Sequence, residues 1–133
     1  MTKKVIFDAY ALLELLEDGE GAQTVADYLA DSEAGTYLST VNLGEVYYII
    51  LRRRGEQAAR EVLEIVFLDE ALTLVEASWD RIKSAAALKA KGGLSFADCF
   101  VLALGIEEQA PVLTGDPEIT RRAEKVGVKV IGI

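Results

Sequence analysis

Val5-Ile6-Phe7-Asp8-Ala9-Tyr10-Ala11-Leu12-Leu13, near the start of the chain, decides its fold. An apolar run without a polar break is closed by an acid, which predicts a short strand over residues 5–8. Ala11, Leu12, Leu13, Leu15 and Leu16 then follow a helical spacing that Gly19 and Gly21 stop. The same strand-turn-helix alternation continues outward. Residues 22–30 (Val25, Ala26, Tyr28, Leu29) predict a helix, 36–40 a strand, and 43–54 a helix closed by Gly55. Residues 56–68 predict another helix, 72–76 a strand, 79–91 a helix ended by Gly92-Gly93, and 96–108 a further helix. Residues 111–114 predict a strand, 118–125 a helix closed by Gly127, and 128–131 a last strand. Strands that alternate with helices need crossover connections. The expected architecture is therefore α/β, a three-layer α/β/α sandwich around a short, mainly parallel five-stranded sheet. In such sheets ligands bind at the carboxyl ends of the strands, where Asp8 and Asp116 both fall.

Composition narrows the chemistry. A chain of 133 residues suits one domain spanning 1–133, and no repeat, linker or low-complexity tract divides it. Its apolar runs are too short for a membrane span, and Met-Thr-Lys-Lys leads into no secretory signal. Cys99 is the sole cysteine, which excludes an intrachain disulfide and points to a reducing cytoplasm. There is no histidine, which removes Ser-His-Asp and Cys-His triads and most zinc sites. Carboxylates, hydroxyls, amines or hard metal ions remain. The net charge of −8 argues by itself against a nucleic-acid partner.

Four carboxylates stand out, each with a structural alternative. Asp8 suits the N-cap of the helix that follows it. Glu45 lies three residues after Asn42, as in a capping box, which would make it a stabiliser only. Yet Val46, Tyr47, Tyr48, Ile49, Ile50 and Leu51 make that helix apolar nearly all round, so a carboxylate entering it needs a partner. Ser95-Phe96-Ala97-Asp98 also matches a capping box, and the unbroken apolar run from Cys99 to Leu104 marks a central helix. A dry, unpaired carboxylate there costs several kcal/mol or raises its pKa. Asp116 suits an N-cap with Pro117 at the first helical position. Two strand ends and two helix starts on one rim would bring several carboxylates within a few ångströms. Like charges at ~4 Å repel by about 4 kcal/mol per pair at an effective dielectric near 20. A divalent cation removes that penalty, and all-oxygen ligands favour Mg²⁺ or Mn²⁺. Setting these four acids aside halves the net charge, so much of the acidity belongs to the candidate site.

The stretches Val-Ile-Phe-Asp8, Asn-Leu-Gly-Glu45-Val, Leu-Ser-Phe-Ala-Asp98-Cys and Val-Leu-Thr-Gly-Asp116-Pro, in this order and spacing, resemble PIN-domain ribonucleases. In particular, the chain is similar over essentially its whole length to VapC-type toxins of prokaryotic toxin-antitoxin pairs. The resemblance implies that Asp8, Glu45, Asp98 and Asp116 hold one or two Mg²⁺ or Mn²⁺ ions for hydrolysis of RNA phosphodiesters. It implies that Thr114 supports that site. It also implies a small antitoxin whose tail enters the acidic groove, and a homodimer. One departure stands against the family pattern: where Ser or Thr commonly follows the first Asp, this chain has Ala9 and Tyr10. Either a supporting hydroxyl is absent here, at a cost to metal occupancy or turnover, or Tyr10 supplies it.

Two other readings share these residues. Phe7-Asp8-Ala9-Tyr10 looks like the nucleophile motif of haloacid-dehalogenase-like hydrolases, with Asp8 attacking phosphorus, but that leaves Glu45 and Asp98 without a role. A catalytically degenerate PIN domain or a receiver-like module would bind a partner protein instead, the receiver pocket needing a lysine such as Lys129 near its last strand. Arg52-Arg53-Arg54 is the only basic run, a candidate for phosphate contacts or a solvated helix end. Tyr28, Tyr47, Tyr48 and Trp79 suit either the core or an interface.

Overall fold

A computed structural model describes residues 3–133. Val5 and Phe7 point into one hydrophobic core and Ile6 into another, because successive side chains of a strand face opposite sides of a sheet. All three are almost completely buried, as a strand covered on both faces requires. They belong to β1 (Lys3–Phe7), the middle strand of a five-stranded sheet whose other strands are β2 (Ala34–Ser39), β3 (Leu72–Val75), β4 (Val112–Thr114) and β5 (Val130–Gly132). The order is β3-β2-β1-β4-β5, and every neighbouring pair is parallel. Phe7 sits level with Leu38 of β2 and Leu113 of β4. The expected mainly parallel sheet is thus parallel throughout.

The helices fall into two layers. On the Val5/Phe7 side lie α1 (Ala9–Leu16), α2 (Ala22–Ala30), α3 (Thr40–Arg54) and α4 (Glu56–Leu68), contributing Leu12, Val25, Val46, Ile50 and Val62. On the Ile6 side lie α5 (Trp79–Ala90), α6 (Phe96–Glu108) and α7 (Pro117–Lys125). Cys99 to Leu104 of α6 are all buried, so α6 is the central helix of its layer. Gly55, at φ +90, turns the chain from α3 into α4 in a conformation that side-chain-bearing residues avoid. Among the described residues no helix is long and apolar enough to cross a membrane.

Several boundaries differ from the sequence expectation, β1 beginning at Lys3 and β2 at Ala34 among them, and three of the shifts have a visible cause. Helix α3 begins at Thr40, because Ser39 closes β2 and its hydroxyl accepts from Val41 N–H. Asn42 is therefore inside the helix and not its cap. Pro111 lies outside β4, although its carbonyl still accepts from Ile6 N–H at 2.9 Å. Val128 is withheld from β5 because its N–H donates to Ala123 O at 2.9 Å and closes α7. Among the tyrosines, Tyr28 and Tyr47 pack against the core, whereas Tyr48 and Trp79 are exposed.

The packing has a direct test. Leu113→Ala in the centre of the sheet should lose about 3 kcal/mol of unfolding free energy in urea titration. Leu68→Ala, on the exposed end of α4, should change it by less than about 0.5 kcal/mol.

Candidate active site

Because β1, β2 and β4 run parallel and pass directly into α1, α3 and α7, those strand ends and helix starts share one rim of the sheet. Helix α6 joins it through Asn42, whose Nδ2 donates to the Ala97 carbonyl at 3.1 Å. Four helix N-termini, each with an excess of positive partial charge, therefore surround the rim.

Asp8 lies at the centre. It is 2% exposed and caps α1, its Oδ1 accepting from Ala11 N–H at 2.8 Å. Its Oδ2 accepts from the Thr114 hydroxyl. Burial pushes the Asp8 carboxyl up to about 7, against the two hydrogen bonds that favour the ionised form; the charges of Asp98 and Asp116 add to the rise. Thr114, buried at the end of β4, also accepts from Asp116 N–H at 2.9 Å, so one hydroxyl ties together two strand ends. Asp116 caps α7, its Oδ1 accepting from Glu118 N–H at 2.8 Å, with Pro117 opening the helix.

Asp98 stands in the first turn of α6, where Ser95 Oγ accepts from its N–H at 3.1 Å. Burial raises its carboxyl above the ordinary value, the Ser95 hydroxyl opposes this, and Asp116 and Glu118 raise it further. Glu45 is half-buried. Burial lifts its pKa, the amide of Asn42 holds it down, and Asp98 and Asp116 push it up. The Asn42 contact is direct, Nδ2 to Glu45 Oε1 at 2.9 Å. The capping-box alternative for Glu45 therefore fails, since Ser39 is the cap and Glu45 lies in the second turn. Asn42 itself is fully buried, and its Oδ1 has no hydrogen-bond partner. Sequence reading gave Asn42 only a capping role; its spacing before Glu45 was the available signal.

Asp8 and Glu45 thus feel the charges of Asp98 and Asp116, Asp98 feels that of Asp116, and Thr114 and Asn42 hold Asp8 and Glu45. They stand apart more than expected: among the described residues, no group of three or more acidic, cysteine or histidine side chains is gathered closely enough to hold a metal ion. Like charges repel, and Asp8, Glu45 and Asp116 are each held by their own local donors. The donor chemistry, carboxylate oxygen throughout, fits Mg²⁺ or Mn²⁺.

Two other sequence candidates lie elsewhere. Arg52 to Arg54 end α3 about 20 Å along its axis from the rim, and Arg53 pairs with Glu17 at the far end of α1. Lys129 precedes β5, at the edge of the sheet opposite the acids, which removes the receiver-like arrangement. A covalent-nucleophile role for Asp8 still leaves Glu45 and Asp98, on the same rim, without a part to play.

The raised Asp8 pKa has a measurable consequence. The unfolded chain ionises this carboxyl near pH 4 and the folded chain near pH 7, so folding stability falls as pH rises between those values. Urea unfolding in EDTA should show Asp8→Asn gaining on the unaltered protein across this interval, by on the order of 4 kcal/mol. Parallel pH profiles would contradict the burial argument.

A match to the PIN domain family spans residues 5–125. No curated protein matches the chain. Several solved structures share its fold at low identity. VapC20 of Mycobacterium tuberculosis, a sarcin-ricin loop cleaving toxin, is 19% identical with a TM-score of 0.75, over 89% of this chain and 94% of that one. VapBC2 from Rickettsia felis, bound to a promoter DNA fragment, is 13% identical with a TM-score of 0.74, over 98% of both chains. DNA-bound VapBC from Salmonella typhimurium is 13% identical with a TM-score of 0.72, over 99% of this chain and 98% of that one. At such identities the likenesses carry the fold alone, but the family match itself encloses Asp8, Glu45, Asp98 and Asp116, and the chain belongs to the PIN-domain family.

Proposed function

We propose that this chain is a divalent-metal-dependent endoribonuclease, the toxin of a toxin-antitoxin pair. The observation that carries the reading is the rim itself: four carboxylates from four different elements, in electrostatic reach of one another, on a PIN-domain fold. Asp8, Asp98 and Asp116 would hold Mg²⁺ or Mn²⁺, with Glu45 beside them. When bound, the ion supplies positive charge to the scissile phosphate and lowers the pKa of water.

The chain's own residues prepare the rest. Thr114 fixes the Asp8 carboxylate and the Asp116 backbone through one oxygen, so these two acids keep a constant relation. Asn42 holds Glu45 Oε1, leaving Oε2 to take a proton from the attacking water. Burial, which raises the proton affinity of Glu45 above that of an ordinary carboxylate, makes it a stronger base for that exchange. The helix N-termini around the rim favour an anionic phosphate.

The fold shared with VapBC assemblies supports an antitoxin partner; homodimer formation and a cytoplasmic setting belong to the same proposal. Exposed Ile65, Phe67 and Leu68 at the end of α4 supply the apolar surface that a protein partner needs.

Purified protein should cleave RNA in Mn²⁺ or Mg²⁺ and stop in EDTA. Asp8→Asn and Asp116→Asn should each reduce the rate by at least about a hundredfold while near-native circular dichroism is retained. A folded chain that cleaves no RNA in either metal would favour the degenerate, partner-binding reading, and undiminished cleavage in EDTA would remove the metal from the account. Asn42→Ala should lower kcat by about tenfold with KM little changed, since Asn42 acts on the protein side of the reaction, through Glu45.

A further inference from the structure

The departure at Ala9-Tyr10 leaves a residue that the hydrolytic account does not use. The Tyr10 ring, two residues after Asp8, lies against Gly115, the residue before Asp116: a Cβ on Gly115 would fall 2.4 Å from its Cε1 and 2.8 Å from its hydroxyl. Glycine at 115 thus makes room for the ring. Tyr10 remains 40% exposed although this packing holds it in place. A second exposed aromatic, Phe96, opens α6 two residues before Asp98 and rests edge-on against Phe100 at 5.2 Å. Both rings flank carboxylates, and neither is required to fill a core.

Helix α7 leads away from the same rim. Its basic side chains Arg121, Arg122 and Lys125 line a groove of about 580 Å³ together with Gly93, Glu118 and Glu124. Elsewhere Lys3, Lys4, Arg53, Arg60 and Arg81 are paired with carboxylates, and the other cations unpaired among the described residues, such as Arg52, Arg54 and Lys83, do not line this groove. Among the described residues, Arg121, Arg122 and Lys125 make no such pair, although two glutamates share their groove. Gly93, at φ +91, leaves space for the Arg122 guanidinium, whose Nη2 would lie 2.7 Å from a Cβ there. Arg122 stands about 9 Å along the helix axis from Asp116. Unpaired cations leading to an acidic rim suit a polyanion whose phosphates run up to the acids.

We propose that Tyr10, seated on Gly115, is a stacking platform for an unpaired base beside the scissile phosphate, and that Arg121, Arg122 and Lys125 track the adjoining RNA backbone. An aromatic face accepts any base, whereas a base held in a duplex presents no free face to it. The arrangement therefore selects an unstacked strand at the cut site. This inference rests on the ribonuclease reading for its substrate.

Binding of a short fluorescein-labelled single-stranded RNA of mixed sequence tests it by anisotropy. The Asp98→Asn protein in EDTA serves as background, so that cleavage does not intrude. Tyr10→Ala should weaken binding about tenfold, while Tyr10→Phe and Tyr10→Trp should retain it. The triple change Arg121→Ala, Arg122→Ala, Lys125→Ala should reduce the slope of log affinity against log salt by about 2. The same sequence as a duplex should compete at least about tenfold less well. Equal binding by Tyr10→Ala, an unchanged salt slope, equal competition by duplex, or no binding by the background protein would each overturn the proposal. If the unaltered protein cleaves RNA in Mn²⁺ but binding ignores Tyr10 and the α7 cations, this proposal fails and the nuclease reading stands. If binding shows both signatures but no cleavage occurs, the nuclease reading fails and the binding site stands.

Discussion

Parallel pairing of β1 with β2 on one side and β4 on the other is the constraint on which the rest depends. A parallel pair sends both carboxyl ends to the same edge, and each crossover returns through a helix that starts there. Placing Asp8 after Phe7 and Asp116 after Thr114 is then enough to bring together residues far apart in the chain. The strand itself is held by its two-sided burial, Val5 and Phe7 in one core and Ile6 in the other. A one-residue slip in register would exchange those faces and move Thr114 away from Asp8.

The rim works against the stability of the fold that builds it. Asp8 is nearly inaccessible, and its ionised form is sustained only by the Ala11 amide and the Thr114 hydroxyl. Asp98 and Glu45 are disfavoured as anions in the same sense, by burial and by the charge of Asp116. Helix N-termini soften the repulsion but leave a site that a cation or a proton would relieve. Sites that store such repulsion are where function and stability part, and the surrounding apolar packing has to bear the difference.

Much of this was legible in the sequence, because Val5 to Phe7 and Cys99 to Leu104 are unbroken apolar runs and Gly55 and Gly127 punctuate α3 and α7. The architecture follows from those signals, and the choice of Asp8, Glu45, Asp98 and Asp116 from their places at strand ends and helix starts together with the family resemblance. What escaped is where local choices compete. Ser39-Thr40-Val41-Asn42 reads equally as a strand end or a helix start, and the Ser39 cap decides it, turning Asn42 from a cap into the holder of Glu45. Arg52 to Arg54 are conspicuous as a run, but the length of α3 carries them to the wrong end. The seat of Tyr10 on Gly115 joins residues more than a hundred positions apart, and no local pattern announces it. The separation of the carboxylates was also hidden, since it depends on which donor each acid finds.

The central claim is that these acids form one metal-binding catalytic centre. Anomalous diffraction from a crystal soaked in Mn²⁺ tests it most directly. The expected result is a peak bounded by Asp8, Asp98 and Asp116, with Glu45 turned towards it and Thr114 still on Asp8. A fully soaked crystal with no peak there, or with Mn²⁺ only at surface carboxylates away from the rim, would contradict the account.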